Sequence, residues 1–236
     1  MNKLRGLTRL MYDWMGVLLV VCIAVLAMTG VWMPGSSDAM EASAALTDGG
    51  RLPVIVVDAG HGGPDGGAVT ADGVPEAGIN LTIAQLVENG LREAGFSVVM
   101  TRSDENALAN SKQQDMHARR EIMRMDSVNA IVSIHMNKFQ DKSVSGPMAF
   151  YMKGSKEGEK LATCVISAVC ETIGRQSRPA NPGDYYVVRE SIAPAVIIEC
   201  GFLSNPEDAR LLQDPEHQQK LADGIVAGLC AYFASP

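Results

Sequence analysis

The stretch V-I-V-V-D-A-G-H-G-G-P-D-G-G, from Val54 to Gly67, decides how this chain is read. Four apolar β-formers run directly into an acid, a histidine and five glycines. The first part reads as a strand buried on both faces, because it shows no polar alternation. The second part is too bare of side chains to pack, so it reads as a loop at the strand's carboxyl end. A histidine presented there is well placed to bind a metal or to move protons.

Outward from this stretch the pattern repeats. Strand-like runs lie at Ser97–Thr101, Ala130–Ile134, Pro147–Met152 and Ala195–Glu199. Helix-like runs fill the gaps. Ile79, Ile83, Leu86, Val87, Gly90 and Leu91 form one apolar stripe, and Gln113–Val128 forms a second helix. A third carries Leu161, Val165, Ile166, Val169 and Ile173. Ser204-Asn205-Pro206-Glu207-Asp208 is a helix start, with a polar cap and proline at the first helical position. A last helix runs from Pro215 to Phe233. Such alternation predicts an α/β sheet with helices on both faces, in one catalytic-sized domain over residues 52–236.

The N-terminus differs in kind. Lys3, Arg5 and Arg9 precede an uncharged run from Trp14 to Met33. Twenty residues at about 1.5 Å rise span about 30 Å, the thickness of a bilayer core. Residues 1–33 therefore read as a membrane anchor, uncleaved in preference to a cleaved signal peptide, with the basic end inside and the domain outside. Residues 34–51, rich in Gly, Ser, Ala and Asp, read as a linker. The net charge of −7 and the absence of a long basic run argue against nucleic acid as a partner. Cys164, Cys170, Cys200 and Cys230 show no metal-ligand or redox spacing and read as free thiols.

Four chemistry-bearing residues lie at strand or loop ends: His61, Glu76 in a Gly/Pro loop, His135 and Glu199. In an open α/β sheet, ligands gather outside the carboxyl ends of the strands. Two histidines and a carboxylate form a common catalytic zinc set, with one position left for water. A further carboxylate can then serve as general base, and Glu199 is the candidate. Asp58 and Asp65 compete as ligands or as partners of the ligands. Asp58 is the candidate for orienting a histidine through its second ring nitrogen. Arg102 and Arg120 are possible structural partners of Glu199. His117 and His217 lie in polar helical surroundings and read as solvent-facing.

Taken together, these motifs resemble the zinc-dependent N-acetylmuramoyl-L-alanine amidases of the amidase-3 family. The resemblance rests on Val57-Asp58-Ala59-Gly60-His61-Gly62-Gly63, on Glu76 before Asn80-Leu81, and on Thr101-Arg102-Ser103-Asp104. It continues through Val132-Ser133-Ile134-His135-Met136-Asn137 and Pro194 to Asn205. It implies a zinc-peptidase-like, mixed but mostly parallel sheet, with one Zn²⁺ held by His61, Glu76 and His135. It implies Glu199 as the catalytic glutamate and peptidoglycan strands as the substrate. Asn137 is a candidate oxyanion donor, and Arg102 and Asp58 are candidate supporting residues. One departure is Ala77, where many relatives carry lysine after the glutamate.

Within the family, Ser111 to Arg120 and the short single domain behind an anchor resemble the spore-cortex type. That likeness implies cortex maturation towards muramic-δ-lactam, an extracytoplasmic site in the forespore envelope, and an activating lipoprotein partner. The metal set does not by itself separate an amidase from a zinc carboxypeptidase acting on the stem peptide. A non-catalytic, membrane-anchored wall-binding protein is the remaining alternative. Asn106–Gln114 and Gly174–Asp184 are candidate gating segments.

Overall fold

The structure is a computed structural model and describes residues 52–235. The expected membrane anchor and the whole of the expected linker lie outside these residues. Among the described residues, no helix is long and apolar enough to cross a membrane.

Six strands form one sheet: β1 (Val54–Ala59), β2 (Ser97–Met100), β3 (Val128–Asn137), β4 (Met148–Met152), β5 (Asn181–Gly183) and β6 (Ala195–Phe202). Their spatial order is β2-β1-β3-β6-β4-β5. β2, β1, β3 and β6 run parallel, and β4 joins β6 antiparallel with β5 parallel to β4. The sheet is thus mixed and mostly parallel, as expected. The helices are α1 (Glu76–Glu93), α2 (Lys112–Met123), α3 (Lys156–Thr172), α4 (Tyr186–Glu190), α5 (Pro206–Leu212) and α6 (Pro215–Ala234).

Strand parity divides the core. Ile55, Val57 and Ala59 of β1 join Val132, Ile134, Val196 and Ile198 in a large cluster with α1, α3 and α6. Val56, Ile131, Ala195 and Ile197 face the other way, against Met123 of α2 and Val187 and Val188 of α4. Every residue of β1 after Val54 is buried, which explains its unbroken apolar run.

Several boundaries differ from the sequence reading. The helix expected over Gln113–Val128 ends at Met123, and Val128 instead opens β3 opposite Val54. The apolar residues Ile122, Met125 and Val128 mimic a continuing helical stripe, but the last belongs to the sheet. β3 and β6 both extend past their expected ends, so His135 lies inside β3 instead of after it and Glu199 lies in the interior of β6 instead of at its end. Glu76 is not in a loop; it is the first residue of α1, where an acid is favoured by the helix dipole. α5 begins as expected, with the Asn205 side chain accepting from the N–H groups of Glu207 and Asp208. Gly174–Asp184 contains the short strand β5 at the edge of the sheet.

α3 and α6 approach closely because α6 carries glycine on the contact face. A Cβ on Gly224 would lie 2.6 Å from the Val169 Cα, and one on Gly228 2.5 Å from the Val165 Cα. Both obstacles are backbone atoms, which cannot rotate away. Gly228→Ala is expected to destabilise the domain by about 1–3 kcal/mol through overpacking. Urea unfolding measures this, and an unchanged midpoint would contradict the packing account.

Candidate active site

The site is assembled at the carboxyl edge of β1, β3 and β6, on the face that also carries α2 and α4. The chain leaves β1 at Ala59, and Gly60 extends the pairing by donating its N–H to the Ile134 carbonyl at 3.1 Å. His61 then adopts φ 62, which a non-glycine residue holds only when its surroundings enforce it. Two buried arginines supply that enforcement. Arg119 donates to the carbonyls of Ala59 and His61 and pairs with Asp58 at 2.6 Å and Asp115 at 2.8 Å. Arg102 donates to the carbonyls of Ala59, Gly60, Ala77 and Asp104.

The expected metal ligands converge. Among the described residues, His61, Glu76 and His135 form a group whose ligand atoms all lie within 4.8 Å of one another. Glu76 Oε1 lies 3.3 Å from His61 Nε2 and 3.0 Å from His135 Nδ1. The carboxylate is fixed from several sides. Ala68 N–H donates to Oε2 at 2.8 Å, while Met136 N–H and the Asn80 amide each donate to Oε1 at 3.1 Å. Burial pushes the Glu76 carboxyl upward, but the His135 and His61 bonds and charges outweigh this and hold it well below the usual carboxylate range. His61 responds in the opposite sense. Burial alone would lower it, yet Glu76 and Asp65 together raise its affinity for a proton.

Two glycines make room for these side chains. A Cβ on Gly60 would lie 2.2–2.7 Å from three atoms of the His135 ring. A Cβ on Gly67 would lie 2.5 Å from Glu76 Oε2 and 2.7 Å from His61 Cδ2, and Gly67 also holds φ +70.

Glu199 stands directly across from His135 in the β3–β6 pairing, on the same face. Just beyond it, two steps along β3 (His135 to Asn137) match three along β6 (Glu199 to Phe202), a bulge of the kind found beside functional sites. Glu199 Oε2 is buried without a hydrogen-bond partner. Burial, augmented by the nearby Glu76 charge and opposed by His135, pushes its carboxyl up to about 7. An unpaired buried carboxylate is costly unless a cation or a reacting group uses it. Two imidazoles and one carboxylate are a donor set suited to a divalent zinc-like cation, with the unpartnered Glu199 carboxyl standing beside it.

The structure corrects several assignments among the supporting residues. Asp58 does not orient a histidine. It accepts from Thr101 Oγ1 at 2.8 Å, Ser133 Oγ at 2.5 Å and Arg119. Burial would raise its pKa, but the Arg119 charge, the Ser133 bond, His135 and Thr101 together lower it. Asp65 is the acid that reaches a ligand, lying 3.1 Å from His61 Nδ1. Neither arginine pairs with Glu199: Arg102 holds backbone carbonyls, and Arg120 pairs with Glu190. Asn137 ends β3 on the His135 face, with its Oδ1 accepting from Lys138 N–H. His117 is exposed as expected, but His217 is half-buried; burial and the nearby Arg175 lower its pKa. Cys164, Cys170, Cys200 and Cys230 are free.

Arg119, on the Ala59 and His61 carbonyls, and Asn80, on the Glu76 carboxylate, hold the candidate site in place and were missed by the sequence reading. Asn80 follows Glu76 by one helical turn, a spacing that would have flagged it. Beside the ligands, a cavity of about 160 Å³ is lined by His61, His135, Asp65, Lys112, Met116 and Val187, among others. The expected gating segment Asn106–Gln114 contributes Ala107, Ala109, Asn110, Ser111 and Lys112 to an adjoining pocket.

A family model described as N-acetylmuramoyl-L-alanine amidase matches residues 55–231. The germination-specific N-acetylmuramoyl-L-alanine amidase of Bacillus subtilis is 33% identical over 189 residues, covering 76% of this chain and 79% of that protein. The CwlD amidase of Clostridioides difficile, solved in complex with the GerS lipoprotein, aligns with a TM-score of 0.72 at 32% identity. That alignment covers 76% of this chain and 98% of the other. The catalytic domain of CwlV from Paenibacillus polymyxa aligns with a TM-score of 0.67 at 31% identity, covering 77% and 98%.

The Asp58–Arg119 pair makes stability depend on pH. Because the Asp58 pKa is lowered, its contribution is present above the ordinary value of 3.8 and is lost as pH falls through the folded-state value. Asp58→Asn is expected to cost about 3–5 kcal/mol near neutral pH by leaving Arg119 undercompensated. The gap to the parent should narrow in acid. Denaturant melts across pH measure it, and a pH-independent gap would refute the assignment.

Proposed function

The chain belongs to the amidase-3 family of N-acetylmuramoyl-L-alanine amidases and is a peptidoglycan amidase, and from that premise we propose a zinc mechanism and a place in spore-cortex maturation. His61, Glu76 and His135 would hold the metal, and Glu199 would act as general base and acid. The observation that carries this reading is the buried, unpartnered Glu199 oxygen facing the ligand His135 across two paired strands.

Zinc bound there would make water more acidic and polarise the scissile carbonyl. The protein's own residues supply the rest. Glu199, held near neutral pKa by burial, takes a proton from the attacking water. The water oxygen bonds to the lactyl carbonyl carbon of muramic acid. As the carbon–nitrogen bond breaks, Glu199 returns the proton to the L-alanine nitrogen, leaving a free amine and a carboxylic acid that then ionises by losing its remaining proton to solvent. Asp58, Arg119 and Arg102 act indirectly, by holding the loop that presents His61. Asn137, at the same strand edge, is the candidate donor to the carbonyl oxygen.

In this proposal residues 52–236 are the catalytic domain, carried outside the cytoplasm by an anchor at 1–33 and a linker at 34–51. The likeness to a germination-specific amidase supports a role in the cortex, where freed muramic acid would be converted to the δ-lactam. The likeness to an amidase solved with a lipoprotein supports a similar protein partner.

Glu199→Gln is expected to lower the release of peptides with a free L-alanine amine by about 10²–10⁴-fold. Bound zinc should be retained. Chelation of the parent protein should abolish activity, and added zinc should restore it. Mass spectrometry of the released products separates the alternatives. Intact stem peptide supports the amidase, and loss of a terminal residue alone would identify a carboxypeptidase. For the cellular role, spores of a deletion strain should lack muramic-δ-lactam.

A further inference from the structure

The two histidines of the site are held in different ways. His135 stands on a central strand, with its ring packed against Gly60 so closely that no Cβ fits between them. Its orientation follows from packing. His61 stands on a glycine loop instead of a strand; its side chain is 21% exposed, the same as that of His135, so the difference lies in the backbone that carries the ring and in the bond its outer nitrogen makes. An imidazole presents either nitrogen to a metal, and the bond made by the other nitrogen decides which.

For His61 that bond goes to Asp65. Nδ1 lies 3.1 Å from Asp65 Oδ1, while Nε2 faces Glu76 Oε1 at 3.3 Å. Asp65 is itself fixed. Its Oδ2 lies 3.0 Å from Lys112 Nζ, and Gly67 N–H donates to Oδ1 at 3.2 Å. Both carboxylate oxygens are therefore engaged, one towards the ring and one towards the first residue of α2. We propose that Asp65, tethered by Lys112, is a positioning residue that fixes the tautomer and orientation of the His61 ring for metal binding, an inference that rests on the zinc reading above. A carboxylate on the outer nitrogen also makes the metal-facing nitrogen more basic, strengthening its bond to a cation.

Zinc affinity is the direct readout, measured on the full chain near neutral pH by competition with a chromophoric chelator. Asp65→Ala should bind zinc about 10–100-fold more weakly than the parent. Asp65→Asn should lose less, because its carbonyl oxygen still accepts from Nδ1–H. Lys112→Met should also lose less, because the acid remains while its tether is gone. Denaturant unfolding of the metal-free variants should match the metal-free parent, and ¹⁵N NMR should show the His61 Nδ1–H signature disturbed in Asp65→Ala. Parent-like zinc affinity in Asp65→Ala would overturn the inference while leaving the zinc reading standing. Affinity that falls only in step with metal-free stability would also overturn it. A parent chain that takes up no zinc would overturn both.

Discussion

The carbonyl groups of Ala59, Gly60 and His61 point into the protein, and the rest of the site depends on how they are satisfied. A buried carbonyl without a donor costs about 1–3 kcal/mol. Arg119 and Arg102 meet this need with guanidinium groups that fan out to several acceptors at once. The Arg119 charge is balanced by Asp58 and Asp115. Buried ion pairs of this kind add little net stability compared with apolar packing, but removing one partner is severe. Their role here is to over-determine a loop whose histidine must hold a left-handed backbone conformation.

The second constraint is clearance. The side chains of His61, Glu76 and His135 crowd the backbone at Gly60 and Gly67 so tightly that a methyl group at either position would collide with one of them. The same site leaves the Glu199 oxygen without a partner. Strained backbone, absent Cβ atoms and an unpaired acid all work against stability. The large cluster formed with α1, α3 and α6 on the opposite face of the sheet offsets them. The molecule thus separates a face that stabilises from a face that reacts.

Much of this was readable from the chain because β1, β3 and β6 are mostly apolar runs that meet charged or ionisable residues at their carboxyl ends. His61, His135 and Glu199 announced themselves by that contrast, whereas Glu76, in a Gly/Pro-rich stretch, gained its meaning only from their company. Arg119 did not. It sits in a polar helix among other charged residues, and its burial against Asp58 follows only from where α2 lies on the sheet. Asp58 and Asp65 were confused for a related reason. Both lie near His61 in sequence, but strand parity turns Asp58 towards Ser133, whereas the glycine turn folds Asp65 back onto the ring. The overlong reading of α2 arose because helical and strand periodicities coincide at Val128. His217 was misplaced because neighbouring helices bring Arg175 to a position that appears polar and open in sequence.

The pairing of His135 with Glu199 has a consequence for how this protein can vary. Successive residues of a strand point to opposite faces, so one inserted or deleted residue early in β6 would rotate Glu199 away from the ligands. A deletion would bring Cys200 into its place and an insertion Ile198, both of which now face the large cluster. Every side chain would still be encoded, and the strand would still be apolar. Length variation is therefore costly wherever it would change odd to even within a strand. In β6 the number of residues carries information as surely as their identity.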